Sequence, residues 1–151
     1  MPKPARKRKV AILKLPMQRQ FAFADKGQYF NLTRVFEKLN ARYFGNRLRG
    51  YQIVWGRKHR QRPKDSIVFG TIQEEDRMIR IHPLLDQAWV PGWFLQYVVY
   101  HEMLHAVVPD KWDANGRRRV HHEKFLARER EYFWFRRAKA WEEENLARFL
   151  R

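Results

Sequence analysis

Five consecutive residues carry the clearest chemistry in the chain: His101-Glu102-Met103-Leu104-His105. On a helix, side chains four positions apart share a face, so His101 and His105 can present two imidazoles to one cation. Zinc accepts imidazole nitrogen in a tetrahedron, and a catalytic zinc keeps three protein ligands and one open place. Glu102, next to the first histidine, comes near that open side, where it can take the proton of a water attacking a carbonyl. Two histidines and a glutamate are costly in an apolar helix unless something satisfies them, and a metal does so. One zinc ion is therefore expected, with Glu102 as the general base. A third ligand must come from elsewhere. His121 and His122 are adjacent candidates after a loop long enough to fold back, and Asp110, Asp113, Glu123 and Glu129 are carboxylate alternatives. His59 lies in a basic loop, and His82, before Pro83, reads as structural or substrate-lining. The chain has no cysteine, which excludes disulfides, cysteine-ligated zinc and thiol chemistry.

The elements that position these residues follow from periodicity. From Trp93 to Val108 the chain is apolar nearly all round, the mark of a buried helix, and Pro109 stops it. Leu32, Val35, Phe36, Leu39 and Tyr43 form one stripe at helical spacing over 31–44, with Gly45 placed for a left-handed cap. Tyr51–Trp55, Ile67–Ile72 and Met78–His82 read as strands, the last two as a hairpin across Gln73-Glu74-Glu75-Asp76. Residues 110–119 read as a polar loop. One long charged helix is expected from about His121 to Glu144, with an exposed C-terminal piece beyond it. Residues 1–28, broken by Pro2, Pro4 and Pro16, read as a basic arm, leaving 29–151 as the folded domain.

Charge bounds the partners. Lys and Arg total 32 against 16 Asp and Glu, a formal net charge of +16, and such an excess is the usual footprint of a polyanionic partner. Three clusters supply it: Lys3–Lys9, Arg57-Lys58-His59-Arg60-Gln61-Arg62, and Arg117-Arg118-Arg119. Arg57, Lys58, Arg60, Arg117, Arg118 and Arg119 are the candidate nucleic-acid contacts, and Trp89 and Trp112 are candidate stacking platforms. The mixed charges after His121 read as a solvated helix face. No apolar run reaches membrane-spanning length, and Val10–Leu13 is too short for a secretory segment. A monomer is expected, without a membrane partner. It is expected in the cytoplasm, against the nucleoid, or in the nucleus of a nucleated cell, where Pro4–Val10 would act as an address.

The residues also resemble a family. Leu39-Asn40-Ala41-Arg42-Tyr43-Phe44, Ile53-Val54-Trp55, Arg80-Ile81-His82-Pro83, Tyr100–Ala106 and His121-His122-Glu123-Lys124-Phe125 are together similar to the SprT-like zinc metallopeptidases, which include the Spartan-type DNA–protein crosslink proteases. The resemblance spans most of 32–137. It implies that His121, followed four residues later by Phe125, is the third zinc ligand. Many relatives carry a cysteine zinc ribbon, and this chain has none. Nucleic-acid targeting would then fall to the domain's own basic surface.

The expectation is thus an α+β, zincin-like domain: an N-terminal helix, a small sheet, the active-site helix, and a third helix bearing the last ligand. It would be a zinc endopeptidase cutting proteins bound to DNA, single-stranded or at junctions, with substrate added along the sheet edge. Tyr100 is a candidate oxyanion donor. Two rivals are a metal-dependent nuclease acting on RNA or DNA, and a non-enzymatic basic nucleic-acid-binding module whose histidines are structural.

Overall fold

A computed structural model describes residues 25–151. The basic cluster Lys3–Lys9, the run Pro4–Val10 and the prolines at 2, 4 and 16 lie outside the described residues. The order of elements is helix α1 (Leu32–Tyr43), strands β1 (Gln52–Trp55), β2 (Gly70–Gln73) and β3 (Met78–Ile81), helix α2 (Gly92–Val107), the two-residue strands β4 (Lys111–Trp112) and β5 (Arg118–Arg119), and helices α3 (Glu123–Glu129) and α4 (Phe135–Phe149). The class is α+β.

Helix α1 begins where the Asn31 side chain accepts a hydrogen bond from the Arg34 N–H, one of the donors the first turn leaves without an intrahelical partner. It ends as expected, with Gly45 at φ 57°. Leu32, Phe36 and Leu39 are buried, and Val35 and Tyr43 pack against the core from partly buried positions. Asn40, also buried, exchanges two hydrogen bonds with the Leu48 backbone and so folds the following loop back onto the helix. Ahead of α1, the Asp86 carboxylate accepts the N–H groups of Gln28, Tyr29 and Phe30. Residues 25–28, read from sequence as the end of the arm, thus approach the domain through the Gln28 contact and the 2.9 Å bond from Leu32 N to Asp25 O.

The sheet has the order β1-β3-β2. β2 and β3 form the expected antiparallel hairpin, whereas β1 joins β3 in parallel, Ile53 opposite Ile79. Ile79 and Ile81 are buried and Arg80 between them is exposed, the alternation of a half-covered strand. Strand β2 is shorter than read from sequence. Ile67–Phe69 lie outside the strand, although Phe69 O still takes the N–H of His82. Among the described residues β2 pairs on one side only, leaving an open edge. Helix α2 crosses this sheet and packs on α1, α3 and α4 as well, and enclosure on several sides is what its all-round apolar sequence requires.

Three expectations are corrected. Residues 110–119 are a small hairpin rather than a loop, with Lys111 opposite Arg119; the Asp113 carboxylate accepts the N–H groups of Asn115 and Arg117 and so closes the turn. The single long helix from His121 is two helices. Between them Tyr132 turns inward, 2% exposed, and donates its hydroxyl to Trp93 O at 2.7 Å. Burying an aromatic ring and satisfying its hydroxyl outweighs the few helical hydrogen bonds lost at the break. The C-terminal piece is exposed only in part: Leu146, Ala147, Arg148 and Arg151 face solvent, but Phe149 does not. Helix α4 runs on to Phe149, whose 1%-exposed ring packs on Phe69 and Trp89.

Candidate metal centre

Helix α2 delivers His101 and His105 on one face, and the turn before α3 delivers His121 to meet them. The three Nε2 atoms form a triangle with sides of 3.1, 3.3 and 3.2 Å. Imidazole nitrogens on a tetrahedral zinc at about 2.0–2.1 Å stand about 3.3–3.4 Å apart, so the spacing suits a common ion. Hydrogen bonding and burial point the same way. His101 Nδ1 lies 2.6 Å from the Glu129 carboxylate, which accepts the Nδ1–H, and in the neutral ring this turns the Nε2 lone pair toward the triangle. Burial, followed by the neighbouring His101 and His121, pushes His105 down to about 4, and burial followed by His101 lowers His121. Uncharged imidazoles cannot all satisfy one another across so small a triangle. The three residues are close enough to hold one metal ion.

The other candidates for the third ligand are used elsewhere. His122 is buried and donates from Nε2 to Pro109 O at 2.9 Å, pinning the end of α2 to the start of α3. Asp110 pairs with Arg118, and Asp113 shapes its turn. Glu123 opens α3 in its first turn. Glu129 stands behind the centre: its carboxylate takes both the His101 Nδ1 proton and the Tyr97 hydroxyl, at 2.6 and 3.1 Å. Burial raises the Glu129 pKa, but these hydrogen bonds and the His101 charge outweigh it and hold the group below the ordinary carboxylate value. Phe125, fully buried, floors the site. Its ring stacks on His105 with centroids 4.5 Å apart and lies within 5.0 Å of those of His101 and His121. The spacing of Phe125 and Glu129, four residues apart on one helix, is the signal that could have placed both beneath the histidines.

Glu102 is 6% exposed. Burial pushes its carboxyl up to about 7, against an opposing pull from His101. It fits because β2 has a glycine opposite it. A Cβ on Gly70 would stand 2.9 Å from Glu102 Cγ and 3.0 Å from its Oε1, so the missing side chain is the space the carboxyl occupies. Two depressions meet at Glu102, His105 and Val120. One, of ≈ 680 Å³, runs along the open edge of β2 to the acidic turn Glu74–Asp76; the other, of ≈ 370 Å³, runs back along residues 67–70 past His101 and His121. A cleft therefore follows the free strand edge on both sides of the histidines.

Several expected contributors stand elsewhere. Tyr100 is buried and donates its hydroxyl to Arg128 O, so it cannot serve as an oxyanion donor. Trp89 is stacked on Trp141, with Arg148 over it at 3.9 Å, and is core material rather than an open platform. Trp112 is 68% exposed. Arg118 and Arg119 are ion-paired to Asp110 and Asp113, which partly neutralises the triplet beside the three histidines. Arg57, Lys58, Arg60 and Arg117 have no such partner among the described residues. None of the helices of the described residues is long and apolar enough to cross a membrane. No protein-family model, curated protein or solved structure matches the chain.

Proposed function

We propose that the protein is a zinc-dependent endopeptidase of the SprT-like, zincin-like kind, acting on proteins bound to DNA. The observation that carries this reading is the triangle of Nε2 atoms at tetrahedral spacing, with a buried carboxyl beside it and a free strand edge alongside. Zinc held by His101, His105 and His121 would supply Lewis-acid polarisation of a scissile carbonyl and acidify a water. Glu102, with a proton affinity near neutrality, is suited to take the proton of an attacking water and pass it to the leaving amine. Glu129 keeps His101 in the tautomer that offers Nε2. A peptide lying extended beside β2 would pair with its unused N–H and C=O groups, which orients one peptide bond in the cleft.

The net charge of +16 and the unpaired loop Arg57–Arg60 support a polyanion as the surface on which substrates are met. The test is cleavage of a DNA-binding protein by zinc-loaded protein, with and without single-stranded DNA, beside a labelled oligonucleotide that reports any phosphodiester cleavage. Protein cleavage stimulated by DNA and lost in Glu102→Gln is the expected result. Oligonucleotide cleavage lost in the same variant would transfer the site to a nuclease.

A further inference from the structure

The turn between α3 and α4 exposes two aromatic rings that the core does not use. Phe133 is 66% exposed and Trp134 39%, and they meet edge to face with centroids 4.7 Å apart. The Phe133 N–H donates to the Tyr43 hydroxyl, which fixes the turn on α1. Around the rings stand Arg42, Arg130, Arg136 and Arg137, all exposed. Arg42 lies 5.7 Å over Phe133, and Arg137 lies 5.4 Å over Trp134 and 4.7 Å over Trp93. None of the four has a carboxylate within ion-pair distance among the described residues. The patch borders a depression of ≈ 490 Å³ whose lining has no acidic residue, and Glu131, next to Arg130, is paired with Arg128.

We propose that Phe133 and Trp134, with Arg42, Arg130, Arg136 and Arg137, form a docking surface for single-stranded nucleic acid, with bases stacking on the rings and phosphates meeting the guanidinium groups. Aromatic faces interleaved with unpaired arginines are what a single strand needs, because every base has a stacking face and every nucleotide a charge. A duplex keeps its bases stacked on one another and offers no faces to these rings. The two rings stand at 87° to each other, so the bases that meet them are splayed, as only a flexible strand allows. An apolar protein partner would have to desolvate four unpaired cations, a cost its own surface does not repay. Trp93, which Arg137 covers, begins the helix that carries His101 and His105. Along α2 the patch and the metal centre are separated by about 12–18 Å at 1.5 Å per residue. The surface is independent of what the histidines do.

The test is fluorescence anisotropy of the full chain with labelled oligothymidylate, its RNA counterpart, a duplex of equal length, and polyglutamate. Phe133→Ala and Trp134→Ala should each weaken oligothymidylate binding about tenfold and change duplex binding by less than about twofold. Phe133→Tyr, which keeps a stacking face, should bind as the wild type does. Arg136→Ala should lower the slope of log affinity against log salt by about 0.7, the loss of one phosphate contact. Whichever of the DNA and RNA strands loses more affinity identifies the one the surface serves. Unchanged oligothymidylate affinity in both aromatic variants, with circular dichroism confirming their fold, overturns the proposal. So does an equal loss on the duplex, which would leave only phosphate attraction, or on polyglutamate, which would assign the patch to an acidic protein.

Discussion

Replacing Glu102 by glutamine should stabilise the metal-free protein at alkaline pH and leave it unchanged in acid. The carboxyl is 6% exposed, and among the described residues no donor hydrogen-bonds it. Burial raises its pKa from 4.5 to about 7. A group whose folded pKa is raised contributes fully below its unfolded value and loses that contribution as pH climbs through the folded one. The contribution of the Glu102 carboxyl therefore falls as pH rises from about 4.5 through about 7, while glutamine, neutral throughout and of the same shape, has no such loss. At about 1.4 kcal/mol per pKa unit the gap opens to about 3 kcal/mol by pH 8. Urea unfolding with a chelator present, at pH 4.5 and pH 8, measures it. Saturating zinc should shrink the gap, because a nearby cation favours the carboxylate. A difference that does not vary with pH, or a Glu102→Gln variant less stable at pH 8 than the wild type, would show that the carboxyl is not held in the buried, unpaired state on which its proposed role as a base depends.

Gly70→Ala puts a Cβ 2.9 Å from Glu102 Cγ and should displace the base by a fraction of an ångström; we expect kcat to fall about a hundredfold with zinc stoichiometry unchanged, measured by cleavage rate and metal analysis on the same sample. Glu129→Ala removes the acceptor for the His101 Nδ1 proton and should weaken zinc about 10- to 100-fold in competition with a chromogenic chelator. His105 is depressed to about 4 by burial first and by its histidine neighbours second. Below its unfolded value of 6.5 the unfolded chain binds the extra proton, so the contribution of His105 to metal-free stability should fall as pH drops from 6.5 towards 4, opposite in sign to that of Glu102. Melting temperatures of wild type and His105→Gln across that range test this, and parallel curves would refute it.

What could be read without the structure divides by range. The helix bearing His101 and His105 was legible because its apolar residues surround it and Pro91 and Pro109 bracket it. Helix α1 announced itself by one stripe and a glycine. The break at 130–134 has no proline or glycine to mark it; it depends on Tyr132 reaching Trp93 and on Phe133 N meeting Tyr43, contacts 39 and 90 residues distant. The same holds at the site. The choice of His121 over His122 turns on His122 finding Pro109 O, and the role of Gly70 exists only because β2 lies against α2 at Glu102. The parallel pairing of β1 with β3 likewise has no local signature, since register between distant strands is a tertiary property. Charge counting located basic segments but not their partners, so Arg118 and Arg119 read as free cations although each faces an aspartate across its small hairpin.

Whether three histidines hold zinc is answered by X-ray absorption at the zinc edge, with wild type and His121→Ala titrated to saturation beside each other. The expected result is one zinc per wild-type chain with three imidazole nitrogens at about 2.0–2.1 Å and an oxygen completing the tetrahedron, and a loss of one imidazole in His121→Ala with His122 still bound to Pro109. A wild-type chain that stays metal-free at saturating zinc, or an identical nitrogen shell in His121→Ala, would contradict the three-histidine centre.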